Sequence, residues 1–515
     1  MIKSNRPMDP AAPDIQARLD EAMAAHRDGA VEIAAHLYEQ VLNQAPDHAQ
    51  ALRLAGALAR DQGDAQSARS LLDRACAAAP DDAAPLNELA LACFALGDLT
   101  AAERALRAAL ARDADSVRAW ANLGALLQYR GRLHAAADCH REVLQRQPND
   151  LEVRCNLAST LMDAGRGDEA LAECEAALAL APGHPYLLAA KGAVLVGLEQ
   201  AAAAVECLQL ATGRHPEDDM AWTNLGQAYR LQGNTTASVN ALRRACEQNP
   251  DNARAAADLS NQLSSGGDTT TALQLCDAFL ERHPGERLVL ASRAIALRDA
   301  GQTDKADELV DLDRLIQVLQ PPTPAGFTPA DEFRAALIQA LLNDASLLAE
   351  PASKATRGGR QTGELDLSSS PALIALGSLF DEAVQTTVAA WRAAGLGDHP
   401  VMAYDTGRWT LRAWGTVLDA GGHQAPHQHP LGFVSGVYYL SLPADMQAAG
   451  SQAGWLEFGC LPARLASQVA PPTRAIEPTT DRLVVFPSYF WHRTLPFTSA
   501  ETRISIAFDA VPVTG

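Results

Sequence analysis

Aromatic residues make up only 5% of this 515-residue chain, although 48% of it is hydrophobic. The apolar content is therefore largely Ala and Leu, which favours closely packed helices over a β-rich whole. No CxxC pair occurs among the nine cysteines. Most of them (Cys76, Cys139, Cys174, Cys207, Cys246, Cys276) fall inside predicted helices, where a free thiol packs as small apolar filler; neither a disulfide framework nor a sulfur metal site is expected. Basic residues are too few for a nucleic-acid binder: 42 against 62 acidic ones, a net charge of −20, with no basic stripe. The acidity serves solubility and would favour a basic partner over an acidic one. The opening MIKSNRPMDPAAPDIQ lacks an apolar core and no run of 18 apolar residues exists, so neither an export signal nor a membrane span is expected. These absences together predict a soluble protein of the reducing cytoplasm.

What is present first is length. The chain exceeds the 250–300 residues or so that one hydrophobic core can serve. Its first 320 residues repeat themselves. Framed on VRAWANLGALLQYRG, nine windows of 34 residues start at Ile15, Ala49, Ala83, Val117, Leu151, Pro185, Asp219, Ala253 and Arg287. The eighth place is always small: Ala22, Gly56, Ala90, Gly124, Ala158, Gly192, Gly226, Ser260, Ala294. The fifteenth is Gly in eight windows and Glu199 in the other. The twentieth is Ala except at Ser238, and Pro fills seven of nine thirty-second places. Small residues at places eight and twenty let two helices of a hairpin approach closely. Gly at fifteen ends the first helix, and Pro punctuates the second.

This pattern resembles the tetratricopeptide repeat. The resemblance implies a superhelix over 15–320 whose concave groove commonly holds peptides. Asn122, Asn156 and Asn224 share the sixth place, and similar asparagines in such arrays bond an extended peptide backbone. Glu88, Ala190 and Asp258 interrupt that ladder.

The period stops at PPTPAGFTP, a break suited to a domain joint. Two separable domains are expected, with proteolysis falling at 321–329 or in the polar loop 352–363. Helices are predicted near 331–348 and 371–394. The texture then turns to strands at TLRAWGTVL, GFVSGVYYLSLP, GWLEFG, RLVVFPSYF and RISIAFDAV, which suggest a barrel or jelly roll.

Histidines gather here. His427 and His429 stand two apart in GGHQAPHQHP, so an extended segment points both to one side. His492 follows the strand through FPSYFW. A pair from one strand and a distant third from another is how a barrel assembles a metal site on its inner wall. Arg503 opens RISIAF with Ser505 on the same face; a buried Arg there needs an anion, and a carboxylate suits its fork. His423 lacks a motif partner and reads as a loop residue.

HQHPLGFVSGVYYLSLP, FPSYFWHRTLPF and RISIAF together resemble the 2-oxoglutarate- and iron(II)-dependent oxygenases, over roughly 325–511. The resemblance implies a double-stranded β-helix (jelly-roll) domain with supporting helices at 325–515. It implies that His427 and His492 bind iron, that Arg503 pairs with the distal carboxylate of 2-oxoglutarate, and that Tyr439, or else Tyr438, bonds the same group, with Ser505 adding a hydroxyl. In the usual triad a carboxylate stands two residues after the first His, where this chain has His429. Three imidazoles, a carboxylate from elsewhere, or a His429 outside the coordination sphere remain open at this point.

The resulting expectation is a dioxygenase of the hydroxylase type. It would use Fe(II), 2-oxoglutarate and dioxygen to oxidise a polypeptide held in the groove, basic or neutral rather than acidic. The rivals are a non-catalytic repeat scaffold with a degenerate barrel, and a metal-binding barrel that does not use 2-oxoglutarate.

Overall fold

The computed structural model describes residues 15–350, 354–447, 451–465 and 467–513; the N-terminal segment read above for an export signal lies outside them. Eighteen helices form nine pairs. The first members are α1 (Ile15–Arg27), α3 (Ala49–Asp61), α5 (Ala83–Ala95), α7 (Val117–Tyr129), α9 (Leu151–Asp163), α11 (Pro185–Gly197), α13 (Asp219–Leu231), α15 (Ala253–Ser265) and α17 (Arg287–Asp299). Each begins where a 34-residue window opens. The second members are α2 (Val31–Gln44), α4 (Ala65–Ala78), α6 (Leu99–Arg112), α8 (Leu133–Arg146), α10 (Gly167–Leu180), α12 (Ala201–Arg214), α14 (Thr235–Gln248), α16 (Thr269–Arg282) and α18 (Thr303–Leu309).

The reasons are those of the pattern. The fifteenth-place glycines adopt left-handed backbone, as at Gly63 with φ 84°, and Glu199 takes φ 56° in their stead. The eighth-place residue sits under the second helix: a Cβ added to Gly56 would meet Leu72 at 2.7 Å, and Gly192 and Gly226 face Leu208 and Leu242 in the same way. In the fourth window His140 fills that position against Gly124. It is buried with neither ring nitrogen bonded, and burial holds its pKa down to about 4, so it packs as a neutral ring. Asp64, Asp98, Asn234 and Asp268 cap second helices by accepting backbone N–H groups. The cysteines within these helices are free thiols, and burial raises those of Cys139 and Cys174 to about 12, which leaves them unreactive. No described helix is long and apolar enough to cross a membrane.

The chain groups into two compact units, residues 1–129 with 138–148, and residues 130–137 with 149–515. Within the second unit the later repeats and the strand-rich domain share one core. It runs from Leu290 and Leu297 of α17, through Leu309 of α18, into Leu315, Phe380, Val417 and Phe508. The Tyr489 hydroxyl donates to the Leu309 carbonyl. The Pro-rich joint is thus a turn in the path of the chain and not a seam in its packing. A cut there would strip buried leucines from both sides, which removes the basis for expecting two freely separable parts.

Two helices, α19 (Ala330–Leu342) and α20 (Pro371–Ala393), accompany ten strands. These are β1 (Gln317–Leu319), β2 (Leu348–Ala349), β3 (Thr356–Gln361), β4 (Trp409–His427), β5 (Val434–Ser441), β6 (Leu456–Phe458), β7 (Arg474–Ile476), β8 (Leu483–Pro487), β9 (His492–Thr494) and β10 (Arg503–Pro512). The sheet order is β1-β8-β5-β10-β4-β9-β6-β7, with β3 on β4 and β2 on β3. Strand β4 makes the sheet curl. Its first half, Trp409 to Leu418, pairs with β10, and beyond a bulge its end pairs with β9.

Alternation assigns the faces. Ile504, Ile506 and Phe508 of β10 turn to the helices, where Phe508 stacks on Phe380 at 4.3 Å. Arg503, Ser505 and Asp509 turn to the other, inner face, opposite Tyr439 and Ser435 of β5. Two sequence readings change. Residues 356–361 form a strand where a polar loop was expected, because Gly359 lies so close to β4 that a side chain would meet the Val417 carbonyl. His423 lies on β4 and not in a loop. Residues 352–353 of that loop fall outside the described set.

Candidate metal centre

Strand β4 ends on His427, β9 begins on His492, and the two are register partners, with ring centroids 4.2 Å apart. The chain then turns so that the His429 amide donates to the Ser488 carbonyl at 2.8 Å. This brings the third ring to 5.1 Å from His427 and 5.0 Å from His492. One nitrogen from each of the three lies within 4.8 Å of the others.

The hydrogen bonds decide which nitrogen is offered. His427 Nδ1 is 2.8 Å from the Ala425 carbonyl, and His492 Nδ1 is 2.9 Å from the Phe490 carbonyl. A carbonyl only accepts, so each Nδ1 carries the proton and each Nε2 keeps a lone pair. Burial, reinforced by the neighbouring rings, lowers the pKa of His427 to about 3 and that of His492 well below the usual imidazole range. Both rings are neutral donors at neutral pH.

The third ring is held differently. His429 Nδ1 lies 2.6 Å from an Asp509 carboxylate oxygen. That oxygen also accepts from Ser435 Oγ at 2.6 Å, which in turn receives the Ser488 hydroxyl at 2.7 Å. A carboxylate is therefore present, one shell behind the ring that stands where the usual acid would be. Sequence reasoning missed Asp509. The signal was there: an acid in the apolar run RISIAFDAV, an even number of residues after Arg503 and so on the same face.

On that face Arg503 is 1% exposed. Its Nη1 donates to Ser505 Oγ at 3.3 Å, and its guanidinium carbon is 5.0 Å from the centre of the Tyr439 ring. Arg503 Nε and the Tyr439 hydroxyl are buried without a hydrogen-bond partner, and among the described residues no carboxylate pairs with Arg503. Desolvation of this cation lowers its pKa, with Tyr439 acting in the opposite sense. Orphaned donors on a buried cation fit an absent anion with oxygen acceptors. Tyr438 points the other way and donates to Asp481 at 2.9 Å, so Tyr439 is the residue beside Arg503.

The asparagines at place six are not gathered in one unit. In the first unit Asn122 donates to Asn87 at 2.9 Å; Asn156 and Asn224 belong to α9 and α13 of the second, both half-buried.

Comparison with known families places tetratricopeptide repeats at 19–83, 59–127, 128–194 and 190–253. It places the family described as "Putative 2OG-Fe(II) oxygenase" at 412–509. The chain carries both. No curated protein matches it. Among solved structures it is similar to the MamA protein, at 21% identity over 32% of this chain and 91% of that one, with a TM-score of 0.30. It is also similar to YrrB, a TPR protein with an unusual peptide-binding site, at 20% identity over 36% and 95%, TM-score 0.30. A third is the Cut9–Hcn1 structure, at 16% over 52% of each chain, TM-score 0.38.

Proposed function

We propose that this repeat-bearing chain is an iron(II)- and 2-oxoglutarate-dependent oxygenase that hydroxylates a polypeptide, with 15–320 presenting the substrate and 325–515 carrying the chemistry. The observation that carries this reading is the convergence of three imidazoles, two of them with free Nε2 lone pairs, with a buried guanidinium that no carboxylate pairs among the described residues, on one inner face. His427, His429 and His492 would hold the iron; Arg503, Tyr439 and Ser505 would hold the distal carboxylate of 2-oxoglutarate. When bound, iron, 2-oxoglutarate and dioxygen supply an oxidative decarboxylation, to succinate and carbon dioxide, coupled to oxidation of a substrate C–H bond.

The chain's own residues orient and exclude. The Ala425 and Phe490 carbonyls and Asp509 fix the three ring planes, so little reorganisation accompanies metal entry. Asp509, 2.6 Å from His429 Nδ1, anchors the ring that stands where the usual acid would be. Phe458 and Phe486 lie 5.9 and 4.7 Å from the His492 ring and keep water from that side. A degenerate barrel would leave Arg503 buried and unpaired, at a cost of several kcal/mol with no return. Free thiols throughout fit a cytoplasmic location.

The test is an anaerobic calorimetric titration of 2-oxoglutarate into the full chain with and without Fe(II). Chelation by the keto-acid end should make binding tighter with iron by at least about tenfold, whereas succinate, lacking the keto group, should gain little. Equal 2-oxoglutarate affinity with and without iron would contradict the reading.

A further inference from the structure

Two of the three imidazoles are placed by the sheet, and the third is not. His427 ends β4 and His492 begins β9, and they face each other in register, whereas His429 lies in the connection 428–433 between β4 and β5. We propose that Arg287, which opens the ninth repeat window, is a positioning residue for this third ligand, so that the repeat array completes the metal centre. This rests on the three-imidazole site of the oxygenase reading, though not on its cosubstrate.

The contact is direct. Arg287 begins α17, and its Nε donates to the Pro430 carbonyl at 2.9 Å. Pro430 follows His429 in the chain. Its ring fixes its own φ and restricts the residue before it to extended backbone, so a hold on that carbonyl is a hold on His429. The segment is thus pinned on both sides of the ligand. The His429 amide donates to the Ser488 carbonyl of the strand-rich domain at 2.8 Å, and the Pro430 carbonyl accepts from the repeats. With the backbone set in this way, Asp509 orients the ring from 2.6 Å.

Arg287 is itself held in place. Its guanidinium carbon lies 4.6 Å from the centre of the Tyr404 ring, a cation–π contact, and Tyr404 closes the short 3-10 turn Pro400–Tyr404 that leads towards β4. Gly285 brings the chain entering α17 against the same ring, so closely that an added Cβ would overlap it. Leu290, one turn further along α17, belongs to the core shared with the strands. One terminal nitrogen of Arg287, Nη1, is buried without a hydrogen-bond partner, so the side chain gives up hydration to make these contacts. An arginine placed for solubility alone would keep its whole head group in water.

Cobalt(II) titration of the full chain, followed by visible absorption, reports both affinity and ligand geometry. Arg287→Met keeps the apolar stem and removes the donor. It should lower Co(II) affinity by about tenfold, the low end for a group behind a metal ligand, and alter the visible spectrum. Arg287→Lys keeps a cationic donor and should stay closer to the parent. Tyr404→Leu removes the ring beneath Arg287 but not the bond to Pro430, and should give a smaller loss of the same kind. In a His429→Ala background, titrated at higher cobalt concentration, Arg287→Met should cost nothing further, because its effect runs through that ring. Parent-like affinity and spectrum in Arg287→Met would overturn the proposal, and so would an equal loss with and without His429, which is what a purely structural role predicts. His427→Ala, run alongside, separates the two readings. Unchanged Co(II) affinity there would sink the metal centre and this proposal with it, whereas loss in His427→Ala with none in Arg287→Met would sink the positioning role alone.

Discussion

Replacing Arg503 with alanine should weaken 2-oxoglutarate binding to the iron-loaded chain by at least about thirtyfold while the iron stays bound. Removing one partner of a buried charge pair costs on the order of 2–5 kcal/mol, because the other is left desolvated, and about 2 kcal/mol is already thirtyfold. Arg503 is suited to this role because the fold gives it nothing else to do: its Nε is buried without a partner, and Ser505 and the Tyr439 ring are its neighbours. Arg503→Lys should fall between the two, since a point charge replaces the fork but loses the paired geometry. Calorimetry on parent and variants decides it. Equal affinity in Arg503→Ala and the parent would refute the assignment.

The second large effect is on the metal itself. His427→Ala and His492→Ala should each abolish retention at micromolar iron, because a three-nitrogen site that loses one ligand holds a divalent ion poorly. The residue behind the site should give a graded response. Asp509→Asn leaves an acceptor for His429 Nδ1 but removes the charge, and should lower iron affinity by roughly 10–100-fold. His429→Asp restores the usual acid and should still bind iron. Competition against a chelator gives all four affinities. Unchanged affinity in His427→Ala would sink the ligand set.

The repeats were legible to the residue because each place in the 34-residue window answers to a local cause: a left-handed turn at Gly63, or a close approach at Gly56. The longer strands were legible for the same reason, since VVF, VSGVYYL and RISIAF carry the β-branched and aromatic residues that strands favour. Strand β3 was not. TRGGRQ has no such residues, and it is a strand because its glycines allow β4 to come close, a fact of the tertiary structure alone. Asp509 was hidden by an assumption about spacing. Motif reasoning looked for an acid two residues after His427, and folding brings it in from eighty residues beyond His429. The shared core across the Pro-rich joint was also invisible, because composition marks a bend in the chain without saying what packs on either side of it.

The measurement that bears most directly on the account is turnover by the full-length, iron-loaded chain given 2-oxoglutarate, dioxygen and a chemical reductant such as ascorbate, which supplies the two electrons a substrate C–H bond otherwise would, without any other substrate. Uncoupled decarboxylation should release succinate and consume oxygen in equal amounts, slowly, and should vanish in His492→Ala and in iron-free protein. Succinate formation that persists in His492→Ala, or none from iron-loaded parent protein that demonstrably binds 2-oxoglutarate, would contradict it.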